Sequence, residues 1–268
     1  MKRLINRLRG RHYPLTGQII WLTGASSGIG AALVPVLAAQ CRHLIISARD
    51  ISSLMLIAEH YPNVSAMPAD VTDPHSLAMV AHHINEVFGY VDTLIANAGT
   101  CEYLDVDQFD AALVTRVMRT NFDGLVNTLD AALPLIRASR RGYLVAVSSS
   151  VTWLPLPRAE AYGASKAAVD YFVKSLRLDL APEGIDVSLV APGFVKTPLT
   201  DRNHFAMPMR ISAEQAALAI VAGMQQHQHS IHFPKGFTRI LRLLGALPDC
   251  LQWPLLKLFT RSQRKPRA

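Results

Sequence analysis

Cysteine is scarce in this chain: Cys41, Cys101 and Cys250 are the only three, far apart and without a CxxC pair. That excludes a disulfide framework and the usual zinc spacings, and it predicts a reducing compartment. Charge is also sparse, at 18% of 268 residues, while half of the residues are hydrophobic, which excludes a long disordered chain. Long uninterrupted apolar runs are missing too, so a polytopic membrane protein is excluded. No apolar stretch follows the basic N-terminus, as a secretory leader would require; Ile19-Ile20-Trp21-Leu22 runs directly into a glycine motif. A cytoplasmic location is the expectation.

The formal charge of +7 resembles a nucleic-acid signature until it is located. Lys2, Arg3, Arg7, Arg9 and Arg11 crowd the first twelve residues without an acid, and residues 234–268 carry eight Lys or Arg against Asp249. The body between them is net acidic. Two basic ends mixed with apolar residues fit an anionic membrane surface, the inner face of a leaflet, better than a duplex, so no nucleic-acid partner is expected.

Short apolar runs at 18–23, 43–48, 64–67, 91–96, 143–148 and 187–191 read as strands, with helical patterns between them. Strands without polar alternation are expected where helices cover both faces of a sheet. The fold class is therefore α/β, a doubly wound parallel sheet of Rossmann type that binds ligands at the C-terminal strand ends. A basic segment 1–15, a single catalytic domain 16–233 and an extension 234–268 are expected. The stretch from Ile231 onward, interrupted by Pro234, Pro248 and Pro254, reads as belonging to no further βα unit.

After the first strand comes Thr23-Gly24-Ala25-Ser26-Ser27-Gly28-Ile29-Gly30 and then an apolar helix. Glycines permit a tight turn and let backbone amides approach a pyrophosphate at the helix N-terminus. The second strand ends in Ala48-Arg49-Asp50. Ala48 stands where an acid would bind the ribose of NAD, and Arg49 suits a 2′-phosphate, so NADP(H) is favoured and NAD(H) left open. Asp50 reads either as a coenzyme contact or as the cap of the next helix.

Tyr162-Gly163-Ala164-Ser165-Lys166 opens a long helical pattern that stacks Tyr162 and Lys166 on one face. A nearby ammonium stabilises phenolate, which makes a phenol of pKa near 10 usable for proton transfer. Lys166 can also hold a ribose hydroxyl; the plain alternative is a surface helix. Thirteen residues before Tyr162, Ser149 ends a strand, where a hydroxyl can polarise a carbonyl, although Ser148 and Ser150 flank it.

Taken together, TGASSGIG, Asn97-Ala98-Gly99, Asn121 in NFDG, Ser149, YGASK and Pro192-Gly193 resemble the short-chain dehydrogenase/reductase family, in its short single-domain branch, over about residues 16–200. The resemblance implies Tyr162 as acid–base, Lys166 as its modulator and ribose ligand, Ser149 on the substrate oxygen, and Asn121 supporting a water that leads protons to Lys166. It also implies cofactor contacts from Gly24, Ser26, Ser27, Gly28, Ile29, Gly30, Arg49, Asp70 and Val71 at adenine, Asn97-Ala98-Gly99 along the cleft, and Pro192, Gly193, Val195 and Thr197 over nicotinamide. Ser27 departs from the pattern, because many NADP-using relatives carry a basic residue there. The family chemistry needs no metal, and His227, His229 and His232 read as a polar loop.

The segment 197–212 carries Leu199, Phe205, Met207, Pro208 and Met209, an apolar lid that predicts a hydrophobic carbonyl or alcohol substrate. In the extension, Phe237, Ile240, Leu241, Leu244 and Leu247 share a helical face, and Trp253, Leu255, Leu256, Leu258 and Phe259 follow. An interfacial anchor and a subunit interface or pocket cover both fit that pattern. A homo-oligomer is expected. The competing classes are a catalytically silent nucleotide-binding regulator and an extended-branch sugar-nucleotide epimerase, for which the chain is short.

Overall fold

The computed structural model describes residues 14–201 and 207–261. The basic residues of 1–13, Phe205 of the expected lid and the chain from 262 onward lie outside the described residues.

Seven parallel strands form one sheet in the order β3-β2-β1-β4-β5-β6-β7. They are β1 Ile19–Thr23, β2 His43–Ser47, β3 Val64–Ala66, β4 Thr93–Ala96, β5 Tyr143–Val147, β6 Asp186–Pro192 and β7 Ser230–Phe233. The helices are α1 Gly28–Ala38, α2 Ile51–Ala58, α3 Pro74–Phe88, α4 Ala111–Met118, α5 Gly124–Ala138, α6 Glu160–Leu180, α7 Ala213–Gln225, α8 Lys235–Gly245 and α9 Asp249–Arg261. A one-turn helix, Pro198–Asp201, follows β6.

Strand alternation explains the sheet's two cores. Ile20 and Leu22 of β1 pack with α1, α2 and α7 on one face, while Ile19 and Trp21 pack with α3, α5 and α6 on the other. Because both faces are covered, β1 and β5 are buried at every position, and each fully buried Leu or Ile contributes about 1.5–3 kcal/mol. The one polar atom on Trp21 is satisfied, since Nε1 donates to Ser47 Oγ at 3.0 Å. The sheet order turns back between β1 and β4, so the C-terminal ends of those strands open the crevice in which such folds take ligands.

The reading of the chain from Ile231 onward needs correction. Ile231–Phe233 belongs to β7, which pairs with β6 from Leu189↔Ser230 to Pro192↔Phe233. Four residues of alternating burial, ending at Pro234, give too short a pattern to stand out as a strand. The histidines are correspondingly not one polar loop. His232 lies in β7, and His227 stacks on Tyr143 with ring centroids 4.6 Å apart and its Nδ1 2.8 Å from Asp186 Oδ2.

Candidate active site

The β1–α1 turn is built for close approach. Gly24 has φ +69°, and a Cβ there would sit 2.7 Å from Ala98 Cα; a Cβ on Gly30 would fall 2.0 Å from the Gly24 carbonyl oxygen. Only glycine fits both positions. Ser27 occupies the N-cap of α1 with extended backbone and makes no side-chain capping bond, so the first-turn amides around Gly28, Ile29 and Gly30 keep donors for an anion. Thr197 closes over this turn, with its methyl 3.1 Å from where a Gly28 Cβ would stand. A dinucleotide pyrophosphate fits this cradle.

Asn97 fixes the neighbouring wall. Its Nδ2 donates to the carbonyls of Thr23 and Gly24, each at 3.1 Å, while the amides of Asn97 and Ala98 lie 3.2 and 3.3 Å from Thr23 Oγ1. Two turns that are 74 residues apart thereby hold one another. Beyond β2, Asp50 settles as a cap: Oδ1 accepts from the Ser52 and Ser53 amides. Arg49 is exposed and makes no hydrogen bond or ion pair among the described residues. Asp70 accepts from both the amide and the hydroxyl of Thr72 at 2.8 Å, and the Val71 carbonyl accepts from Asn127 Nδ2.

Four side chains converge beyond the ends of β4 and β5. Ser149 follows β5 in extended backbone, its hydroxyl accepts from the Val151 amide at 3.2 Å, and it is among the groups that act on the Tyr162 phenol. Tyr162 and Lys166 stand one turn apart on α6, with Lys166 Nζ 6.0 Å from the phenol ring centroid and donating to the Val147 carbonyl at 2.9 Å. Asn121 lies in a π-helical turn, Arg119–Asp123, between α4 and α5. It accepts from the Thr100 amide at 2.7 Å and donates to the Thr100 carbonyl and to Ser165 Oγ, both at 2.9 Å. Ser165 in turn donates to the Tyr162 carbonyl at 2.8 Å. The π turn is a feature of local backbone rather than of residue type, and such bulges favour functional sites.

Burial sets the electrostatics of this corner. It pushes the Tyr162 phenol well above its usual value, helped by Cys101 and opposed by Ser149, the reverse of the lowering expected from Lys166. Lys166 is pulled down to about 8 by burial, which Asp170 and Cys101 oppose. Cys101 itself is raised, mainly by burial, with Lys166 among the opposing influences. The resulting group is a protonated phenol beside a serine hydroxyl, backed by an ammonium whose proton is held loosely. Such a set can donate a proton to a carbonyl oxygen and be recharged through Lys166.

Pro192 ends β6 and the Gly193 amide donates to the Phe233 carbonyl at 2.7 Å. Val195 bridges to Ile211, and its carbonyl accepts from Thr200 Oγ1 at 2.6 Å. The extension closes the same end of the sheet. A Cβ on Gly245 of α8 would lie 1.8 Å from the Trp153 carbonyl oxygen, Arg242 stands 4.6 Å over the Trp153 ring, and Phe237 packs on Gly193 and Phe194. The predicted α8 face is thus only partly inward. Thr238 and Leu241 are buried, but Ile240 is exposed. The sequence reading missed Ser165, Trp153 and the buried Asp170; of these only Asp170 left a signal, four residues past Lys166 in the same helical register.

Comparison with known proteins agrees with this geometry. Residues 18–207 match the family described as short chain dehydrogenase. The chain is 33% identical over 262 residues to 11-beta-hydroxysteroid dehydrogenase 1A of Arabidopsis thaliana, covering 89% of this chain and 74% of that protein. It is 33% identical over 286 residues to dehydrogenase/reductase SDR family member 7B of Bos taurus, covering 99% and 88%. The crystal structure of a short chain dehydrogenase from Burkholderia cenocepacia in complex with NADP superposes with a TM-score of 0.80 at 26% identity, covering 91% of this chain and 99% of that one.

Proposed function

The chain belongs to the short-chain dehydrogenase family, and from that premise we propose that it is an NADP(H)-preferring carbonyl reductase or alcohol dehydrogenase for hydrophobic substrates. The observation that carries this reading is the convergence of Ser149, Tyr162, Lys166 and Asn121 at the mouth of the glycine cradle. A bound nicotinamide supplies or accepts the hydride. Ser149 and Tyr162 hold the substrate oxygen between two hydroxyls, and in reduction Tyr162 gives that oxygen its proton. Lys166 orients a ribose hydroxyl and returns a proton to Tyr162, while Asn121 fixes the backbone of Thr100 and the Lys166 helix so that the pair stays aligned. Arg49 takes the 2′-phosphate, and Gly24 to Gly30 with Thr197 cradle the pyrophosphate.

Two features support an apolar substrate. Leu199, Met207 and Met209 belong to the apolar segment that follows Thr197, the residue packed on the glycine turn, and the similar plant protein is named a hydroxysteroid dehydrogenase. Titration with NADPH and NADH by nicotinamide fluorescence, followed by a screen of hydrophobic ketones with Tyr162→Phe as control, tests the reading. Tyr162-dependent turnover supports it, whereas tight binding without turnover on a broad panel favours a regulator. Failure to bind either cofactor refutes the reading.

The outward side of α8 and α9 suits an anionic membrane surface. Ile240, Leu243, Leu251, Trp253 and Leu258 are all more than half exposed, and they stand among Arg239, Arg242 and Lys257. Among the described residues no helix is long and apolar enough to cross a membrane, so the contact is interfacial. The full chain is expected to float with anionic liposomes at moderate salt and to lose most of that flotation when 236–268 are deleted; equal flotation by both would remove the tail from the contact.

A further inference from the structure

Asp170 lies one turn beyond Lys166 on α6, and its carboxylate is buried. Burying a carboxylate is costly unless it is hydrogen-bonded or paired. Here Oδ1 accepts from Ser148 Oγ at 2.5 Å and Oδ2 from Thr152 Oγ1 at 3.0 Å, with the largely exposed Lys174 ammonium 3.5 Å from Oδ2. The two hydroxyls come from either side of Ser149 in the chain, and Thr152 Oγ1 also lies 3.1 Å from the Ser149 carbonyl. One carboxylate therefore brackets the loop that presents Ser149 and fastens it to the helix that presents Tyr162 and Lys166.

We propose that Asp170 is a positioning residue of the reductase site, mooring the Ser149 loop to α6 and keeping Lys166 an ammonium through its negative charge. This rests on the reading of Ser149, Tyr162 and Lys166 as the reacting set. The mooring matters because Ser149 and Tyr162 must meet one substrate oxygen, and an ångström of drift between them costs reaction rate steeply. The charge matters because burial works against the Lys166 proton, and Asp170 is first among the groups that oppose it.

The groups facing Lys166 are few. Tyr162 and Asp170 stand on its own helix, with Lys174 one turn further, and Cys101 comes from the segment after β4. Asn121 of the π turn is neutral, and β5 contributes the Val147 carbonyl. With Asp170 neutral, Cys101 is what remains among the described residues to oppose the effect of burial on Lys166. Lys166 then loses its proton at lower pH, and so does any step that needs the ammonium.

The test uses the full chain and reads Lys166 directly, by nuclear magnetic resonance of isotope-labelled lysine assigned with Lys166→Arg, alongside the pH profile of kcat. In the native protein the Lys166 midpoint is expected at about 8. Asp170→Asn keeps the size and one acceptor but removes the charge; it is expected to lower that midpoint, and the alkaline limb of kcat, by about half a pH unit or more. The paired change Ser148→Ala with Thr152→Val removes the mooring hydroxyls and leaves Asp170 its Lys174 partner. It is expected to cut kcat roughly tenfold. A purely structural Asp170 would move neither the midpoint nor the limb, so a folded Asp170→Asn with both unaltered overturns the electrostatic role. Full activity in the paired variant overturns the mooring, and that arm decides even if Asp170→Asn does not fold. A native protein without NADPH-dependent turnover would refute the functional reading instead, while the Lys166 midpoint still reports whether Asp170 holds the proton.

Discussion

The two ends of the cofactor cleft are built on opposite principles. At the β5–α6 corner, Ser149, Lys166, Asn121 and Asp170 are buried polar groups; the last three are tied to partners by hydrogen bonds that cross between elements, and Ser149 accepts from the Val151 amide. At the β2 corner, Arg49 stands exposed, Asp50 is spent on its helix cap and Asp70 on Thr72. A buried polar group left unpaired costs about 1–3 kcal/mol, so the first corner admits one arrangement and resists change. An exposed arginine on a flexible stem is worth about 1 kcal/mol when it meets an anion. On the proposed reading, the interior holds the chemistry and coenzyme choice falls to a single side chain in solvent.

The largest effect expected from that contrast is at Tyr162. Tyr162→Phe removes the transferable proton while keeping the ring, so kcat/KM should fall about a thousandfold or more, within the usual range for losing a general acid. NADPH affinity by fluorescence should change little. A drop of only a few fold would mean that proton transfer runs elsewhere and would dissolve the distinction between the two ends.

A smaller but still substantial loss is expected at Gly245, which reaches the same corner from outside. An added Cβ would meet the Trp153 carbonyl oxygen at 1.8 Å, so Gly245→Ala must part α8 from the turn that follows Ser149. Overpacking of this kind costs about 1–3 kcal/mol. The thermal midpoint should drop by several degrees and kcat/KM roughly tenfold, measured on the same preparation. A lower midpoint with unchanged kinetics would make α8 a prop for the sheet and not a wall of the site.

How much of this was legible in the sequence follows from the same contrast. The strands β1, β2, β4, β5 and β6 were readable because continuous apolar runs are needed only where both faces are covered, as Ile19–Leu22 shows. β7 was not, because its four alternating residues at a sheet edge carry half the signal. The residues of the Tyr162 corner were readable through their order and spacing, but their support was not. Asp170, Ser165 and Trp153 act through contacts between segments distant in the chain; the helical register puts Asp170 near Lys166, but nothing in a lone Asp or Ser announces a partner 18 or 44 residues away. The π turn that presents Asn121 is likewise invisible in composition. Asp50, by contrast, was left between two roles by the sequence, and the Ser52 and Ser53 amides decide it as a cap.

The smallest effect is expected at Arg49, and it sharpens the comparison most. Among the described residues, the carboxylate next to Arg49 in the chain is Asp50, and it already accepts two amides and the Ser53 hydroxyl. Arg49→Ala should therefore weaken NADPH without improving NADH. A charge-assisted contact made in solvent is worth about 1 kcal/mol after screening, so the ratio of kcat/KM for NADPH over NADH should fall roughly five- to tenfold, and the fall should shrink as salt is raised. Thermal stability should not move, because Arg49 has no partner among the described residues to lose. An unchanged ratio would shift coenzyme choice to the glycine turn, where Ser26 and Ser27 stand next to the pyrophosphate cradle, and the β2 corner would then contribute shape alone.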